Sequence, residues 1–168
     1  LELNRLNFAA PTVLQLFPAT NAARNWPRWY NVPMILTIPT TQKRQVIDLT
    51  AVIAEQCRGM NGHLSIFVQH STAAITTADL DPGTDQDLLD ALAGMLPQLQ
   101  WRHPHNPAHA PDHLLASIIG PNLVVSVKDG SLQLGQWQHI VLVELNGPQQ
   151  RAIEVSLIGA QPVNELPL

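Results

Sequence analysis

In the run His70-Ser71-Thr72-Ala73-Ala74-Ile75-Thr76 an imidazole and two hydroxyls stand where an apolar strand pattern ends. An imidazole titrates near neutral pH and can donate, accept or ligate a metal, so this grouping suits a polar ligand. The bland alternative for His70 is a core-edge histidine satisfied by a backbone carbonyl. A second constellation lies in residues 101–113, with His103, His105, His109 and His113 among three prolines. Pro107 and Pro111 forbid one regular helix carrying His109 and His113 as an i, i+4 pair. A loop can still bring one of these rings to His70, and His70, His103 and His113 form the candidate set for a metal such as Zn²⁺ with an open position. Solvated loop histidines are the competing reading. Asp79 and Asp81 can accept hydrogen bonds from a ligand or hold Mg²⁺, which prefers oxygen ligands; helix capping alone also explains Asp81 or Asp85.

These residues need elements to position them. Leu64, Ile66, Val68 and His70 alternate on one face, which predicts a half-buried strand with His70 pointing inward. Met34–Ile38 and Gln45–Leu49 read as a first hairpin across a turn containing Thr40 to Lys43. Thr50 offers an N-cap hydroxyl for a helix through Val52, Ile53 and Gln56, ended by Gly59 and Gly62. A second helix starts near Asp81-Pro82, capped by Asp81 or Thr84, with apolar spacing Leu88, Leu89, Leu92, Met95 and Leu96. A third carries Pro111 in its first turn and ends at Gly120, placing His113 near N–H groups that favour anions. Leu123–Val127, the Asp129-Gly130 turn, Ser131–Leu134, Gln138–Glu144 and Arg151–Ile158 then predict antiparallel sheet. The fold class is β-rich α+β, two packed sheets with helices at one side or end. Residues 1–31, with three prolines and the cluster Trp26-Pro27-Arg28-Trp29-Tyr30, read as an arm that covers a domain edge or a neighbouring subunit, with a ligand lid as the alternative. Residues 161–168 are a tail.

The chain has 168 residues, 45% of them hydrophobic, enough for one domain with a sizeable core. A net charge of -4 with nine Lys and Arg leaves no basic stripe, which argues against nucleic acid. The single Cys57 permits neither an intrachain disulfide nor a thiolate-rich zinc site, and a reducing, cytoplasmic setting fits. No stretch approaches the roughly 20 apolar residues that span a bilayer, and the first residues lack the pattern of a signal peptide. Because residue 1 is Leu, native residues upstream are expected.

The succession Gln69-His70-Ser71-Thr72-Ala73, Asp81-Pro82 with Asp87, His103, His113 ahead of Gly120, Gly130 and Leu132, Gly135-Gln136-Trp137-Gln138, Glu144, Gly147 and Arg151 resembles the YjbQ family over residues 32–160. That family is described as secondary thiamine-phosphate synthases. The resemblance implies a jelly-roll-like antiparallel sandwich with two or three flanking helices. It also implies a homotrimer with the active site near subunit boundaries, and union of hydroxymethylpyrimidine diphosphate with a thiazole phosphate. That reaction needs charge neutralisation and positioning more than a covalent nucleophile. On this reading His70 and His113 bind or protonate the leaving group, and Ser71 and Thr72 donate to phosphate oxygens. Asp79 with Asp81 orients Mg²⁺. Trp137 stacks on a heteroaromatic ring or packs, and Glu144, sharing a face with Gln138, orients a histidine.

Three departures from the family pattern bear on function. Thr77-Ala78-Asp79 replaces an Asn-Glu-Asn pattern, so a carboxylate is missing at Ala78; Gln136 replaces Thr, and His139 a small residue. The alternative is a diverged, non-catalytic trimer that binds a small phosphorylated metabolite.

Overall fold

Alternating apolar residues in short runs build eight strands, and all their pairings are antiparallel. A computed structural model describes residues 33–162. The elements are β1 (Met34–Pro39), β2 (Gln45–Asp48), α1 (Thr50–Ala54), β3 (Met60–Val68), β4 (Ala73–Ala78), α2 (Thr84–Met95), α3 (Ala110–Ile119), β5 (Asn122–Lys128), β6 (Ser131–Leu132), β7 (His139–Glu144) and β8 (Gln150–Pro162). The five-stranded sheet runs β1-β8-β3-β5-β6 and the three-stranded sheet β2-β7-β4.

The period-two rows meet between the sheets. Leu36, Ile38, Leu64, Ile66, Val68, Val125, Val127, Ile153 and Val155 face Ile75, Ile140 and Leu142 across a common core. Strand β7 is buried on both faces, which explains its unbroken run Ile140-Val141-Leu142-Val143. Its outward Val141 and Val143 pack with Ala74 against Leu89 and Leu92 of α2 and Leu115 and Ala116 of α3. Both longer helices thus cover the three-stranded sheet, and the expected α+β sandwich with helices on one side is the observed architecture.

The first hairpin does not form. β1 pairs with β8 and β2 with β7, in different sheets; the turn after Pro39 reverses the chain but carries it across the sandwich. Capping also differs. Leu49, not Thr50, stands at the N-cap of α1, and the Thr50 hydroxyl accepts from the Ile140 N–H at 2.9 Å. At α2 the N-cap is Gly83 with φ 97°, a left-handed conformation glycine adopts without steric cost. Thr84 instead donates to the carbonyls of Asp79 and Asp81 at 3.0 and 2.7 Å. In α3, Pro111 lies in the first turn and Gly120 ends the helix, as its sequence requires. The arm of residues 1–31 lies outside the described residues, as does the tail of 161–168 from residue 163 onward; its first two residues, Gln161 and Pro162, continue β8 instead.

Candidate functional site

At one end of the sandwich the apolar rows give way to polar residues on four strands. The β1 row continues from Ile38 to Thr40, the β3 row from Val68 to His70, and the β7 row from Leu142 to Glu144; the β8 row begins at Arg151 before Ile153. Ile38 lies opposite Arg151, and the Gln69 N–H bonds the Ala152 carbonyl at 2.9 Å, which carries His70 toward Arg151. Arg151 and Glu144, 1% and 0% exposed, form an ion pair through two hydrogen bonds, Nε to Oε2 at 2.6 Å and Nη2 to Oε1. Thr40 donates to Glu144 Oε2 at 3.0 Å, and the Asn146 N–H donates to Oε1 at 2.8 Å. Arg151 also reaches Thr72 Oγ1 at 3.1 Å and Gln149 Oε1 at 3.3 Å. Bidentate geometry and these extra bonds are what make a buried pair tolerable.

Burial alone would push the Glu144 carboxyl up, yet Arg151, the Asn146 N–H and Thr40 together hold it below its ordinary value. Burial, reinforced by the Arg151 guanidinium, pushes the His70 imidazole below its usual value against a smaller opposing pull from Glu144. Glu144 therefore acts on His70 through space and through no hydrogen bond; its carboxylate is committed to Arg151, Thr40 and Asn146. The expected orienting bond from Glu144 to a histidine is replaced by this network.

His113, in the second turn of α3, brings its Nδ1 to 3.1 Å from the Ser71 carbonyl. A carbonyl only accepts, so Nδ1 carries the proton and Nε2 is left free, a lone pair when the ring is neutral and a second donor when it is charged. Among the described residues Nε2 has no hydrogen-bond partner. His103 stacks on His113 with centroids 5.0 Å apart and planes 12° from parallel, and both rings line a cavity of about 560 Å³ with Leu99, Trp101, Arg102 and Leu114. His103 Nδ1 accepts from the Asn106 N–H at 3.3 Å, so its other nitrogen bears the proton in the neutral ring. His105 meets His103 edge-on at 6.1 Å. Pro107–His109 forms a separate 3₁₀ turn before α3, so His109 and His113 do not form a helical pair.

The structure divides the remaining candidates. Ser71 is exposed, whereas Thr72 is buried and its Oγ1 accepts from Arg151 Nη2 at 3.1 Å, which leaves its O–H proton to donate. Asp79 and Asp81 follow β4 while His70 precedes it; six strand residues at ~3.3 Å each put roughly 20 Å between them. Asp79 Oδ1 accepts from the Asp81 N–H at 3.0 Å in a local turn. Trp137 and Gln138 lie at that same far end, because Ala78 pairs with His139. Gln138 closes a tight turn with Gly135, its Oε1 accepting the Gly135 N–H at 2.8 Å. It precedes β7 and is exposed, so it does not share a buried face with Glu144. Among the described residues no three His, Cys, Asp or Glu side chains are gathered to hold a metal ion. His70, His103 and His113 thus do not form a metal centre within one chain: the latter two are stacked face to face, and His70 is drawn toward Arg151. Asp79 and Asp81 are likewise not joined by a third carboxylate.

Sequence reasoning gave no role to Arg151, Thr40, Arg44 or Asp112. For Arg151 the signal was present: a charge occupying an inward position of the row Arg151, Ile153, Val155. Arg44 bonds Asp112 at 3.2 Å, tying the start of β2 to the first turn of α3 one residue before His113. Asp112 is 2% exposed and its second oxygen has no partner among the described residues. Nothing in the spacing of residues 68 positions apart announces that contact.

Residues 34–160 match the family model described as UPF0047 protein YjbQ-like. The chain belongs to the YjbQ family. The UPF0047 protein Rv2556c of Mycobacterium tuberculosis is 36% identical over 122 residues, which are 70% of this chain and 92% of that protein. YugU of Bacillus subtilis is 30% identical over 74% of this chain and 97% of its own length. A crystallised hypothetical protein from Aeropyrum pernix superposes with a TM-score of 0.70 at 32% identity, over 76% of this chain and 98% of that one. A YbjQ-like protein from Sulfolobus solfataricus gives 0.69 at 32% identity, covering 76% and 96%. YjbQ membership carries the fold and the motif order; the relatives' names specify no reaction. Among the described residues no helix is long and apolar enough to cross a membrane.

Proposed function

We propose that this YjbQ-family chain binds a small phosphorylated metabolite at the His113–Ser71–His103 corner and transfers its organic group in the manner of a thiamine-phosphate synthase. The observation that carries the reading is the His113 ring: its Nδ1 is held by Ser71 and its Nε2 is unpartnered beside the cavity. In the reaction the bond from a pyrimidine methylene carbon to a diphosphate oxygen breaks, and pyrophosphate leaves with the electron pair. The thiazole nitrogen lone pair forms the new C–N bond. A protonated His113 Nε2–H meets the charge growing on the leaving oxygen, Ser71 adds a hydroxyl donor, and His70 answers the local charge from inside. The cavity walls Trp101, Leu99 and Leu114 offer apolar and aromatic surface to a ring.

The resemblance also implies a homotrimer, and the division of the motif supports it. His70, Ser71 and His113 lie at one end of β4, and Asp79, Asp81, Trp137 and Gln138 at the other. A head-to-tail contact that sets one end against the opposite end of the next copy would, with a rotation of one third of a turn, close into a three-membered ring and complete the site between chains. The setting proposed is the cytoplasm.

The test is formation of thiamine phosphate from the two phosphorylated precursors by the purified chain, with His113→Ala and His70→Ala beside it. Product that is lost in both variants is the expected result; product that is indifferent to both sinks the assignment. A second reading is favoured by one observation: the buried Arg151 is neutralised by Glu144 and gives a leaving phosphate no free charge. On it the chain is a binding protein, and calorimetry would show tight uptake of a phosphorylated pyrimidine or thiazole without turnover.

A further inference from the structure

The two sheets are covered unequally. The outer face of β2-β7-β4 lies under α2 and α3, whereas the outer face of the five-stranded sheet presents Ile35, Phe67, Val124 and Ile158, each 42% to 54% exposed. Pairing places these on neighbouring strands. Glu154 of β8 lies between Ile35 and Phe67, Val124 is opposite Ser65, and Ile158 opposite His63. Four large apolar side chains on one open face are more than the scattered singles of an ordinary surface.

We propose that this face is the docking surface for the chain's own residues 1–32, seated through Trp26-Pro27-Arg28-Trp29-Tyr30. Connection is the first reason. Residues 1–32 lead into β1, the edge strand of this same sheet, and enter at the end where Ser156, Ile158, His63 and Val124 lie. The aromatic cluster precedes Met34 by four to eight residues. At ~3.3 Å per residue that is about 13–26 Å of reach, against roughly 14 Å for the three strand spacings from β1 to β5. Covalent linkage also gives the segment an effective concentration that no separate partner needs to supply.

Chemistry is the second reason. The segment carries two of the chain's four tryptophans and its only tyrosine, and among its charged residues Arg5, Arg24 and Arg28 outnumber Glu2. The face it would meet offers apolar side chains around one carboxylate, Glu154, held by Gln69 at 3.1 Å. Aromatics with flanking arginines fit such a surface by burial, with the cation set against Glu154. The family match begins at residue 34, so residues 1–33 lie outside the matched family model. The α3 stripe of Leu114 and Ile118 belongs to the opposite side of the molecule, and the two faces need not compete.

Amide exchange of the full-length chain, followed on a peptide spanning residues 24–32, tests this against Phe67→Lys/Val124→Lys. Protection of about tenfold or more in the parent, lost in the variant while β3 and β5 amides exchange as before, is expected. Arg24→Glu/Arg28→Glu alters only the segment and should raise the same peptide's exchange without touching the sheet. Unprotected exchange in the parent, or protection that survives both variants, overturns the proposal. Protection that vanishes on dilution assigns the face to a second copy and overturns it equally.

Discussion

Arg151 shows how much one residue can hold at the end of an apolar row. It neutralises Glu144, fixes Thr72 and lowers the readiness of His70 to charge. Replacing it by Met leaves the Glu144 carboxylate buried without a counter-charge, and the expected loss is about 3–5 kcal/mol in urea unfolding. Adding Glu144→Gln to that variant should recover part of the loss, since a neutral amide costs less to bury. Acid sensitivity follows from the same groups. Both hold fewer protons folded than unfolded, so each contributes stability that is lost as pH falls: His70 from its ordinary 6.5 downward, Glu144 from 4.5 downward. Glu144→Gln should therefore flatten the lower of the two limbs in a series of unfolding curves against pH. An unchanged limb would show that the pair contributes no net linkage.

Among the elements, the connection 145–149 is placed by close approach. A Cβ on Gly147 would stand 2.2 Å from the Gln42 carbonyl and 2.8 Å from Thr40 Oγ1. Gly147→Ala must push the 40–44 segment away from Glu144, costing about 1–3 kcal/mol and shifting the His70 titration seen by NMR, whereas an unmoved His70 would mean that the segment yields elsewhere. That segment also explains what the sequence left unread. Alternation made the inward face of β3 legible, because Leu64, Ile66 and Val68 see only the core, but not its bounds: the strand starts at Met60, runs through the Gly62 read as a helix stop, and ends at Val68. Pro111 with Gly120 bounded α3 because each carries its own backbone restriction. Partner choice was not legible. The turn after Pro39 looks like a hairpin because reversal is local chemistry, while the pairing of β1 with β8 is settled by contacts more than 110 residues away. The site divides in the same way: His70 and His113 announced themselves by type, but the Arg44–Asp112 tie and the Thr40 bond to Glu144 exist only after folding.

At the scale of the molecule, one chain keeps the two parts of its motif at opposite ends of a strand pair, and the proposed trimer would account for that separation. If neighbouring copies complete each other's sites, a variant damaged at one end and a variant damaged at the other are both inactive alone. His113→Ala removes the ring beside the cavity; Trp137→Ala removes an exposed indole from the far end. Mixing the two under conditions that exchange subunits creates some interfaces built from both intact ends, and these regain product formation or, on the binding reading, metabolite uptake. Light scattering on the parent should give three times the chain mass of 18.4 kDa, and the mixture should regain a definite fraction of parental activity. For random exchange in a closed three-fold ring, about a quarter of the interfaces pair two intact ends. Separate sites in independent chains predict no recovery at any mixing ratio, which would remove the shared site and leave His70, Ser71 and His113 to act within a single chain.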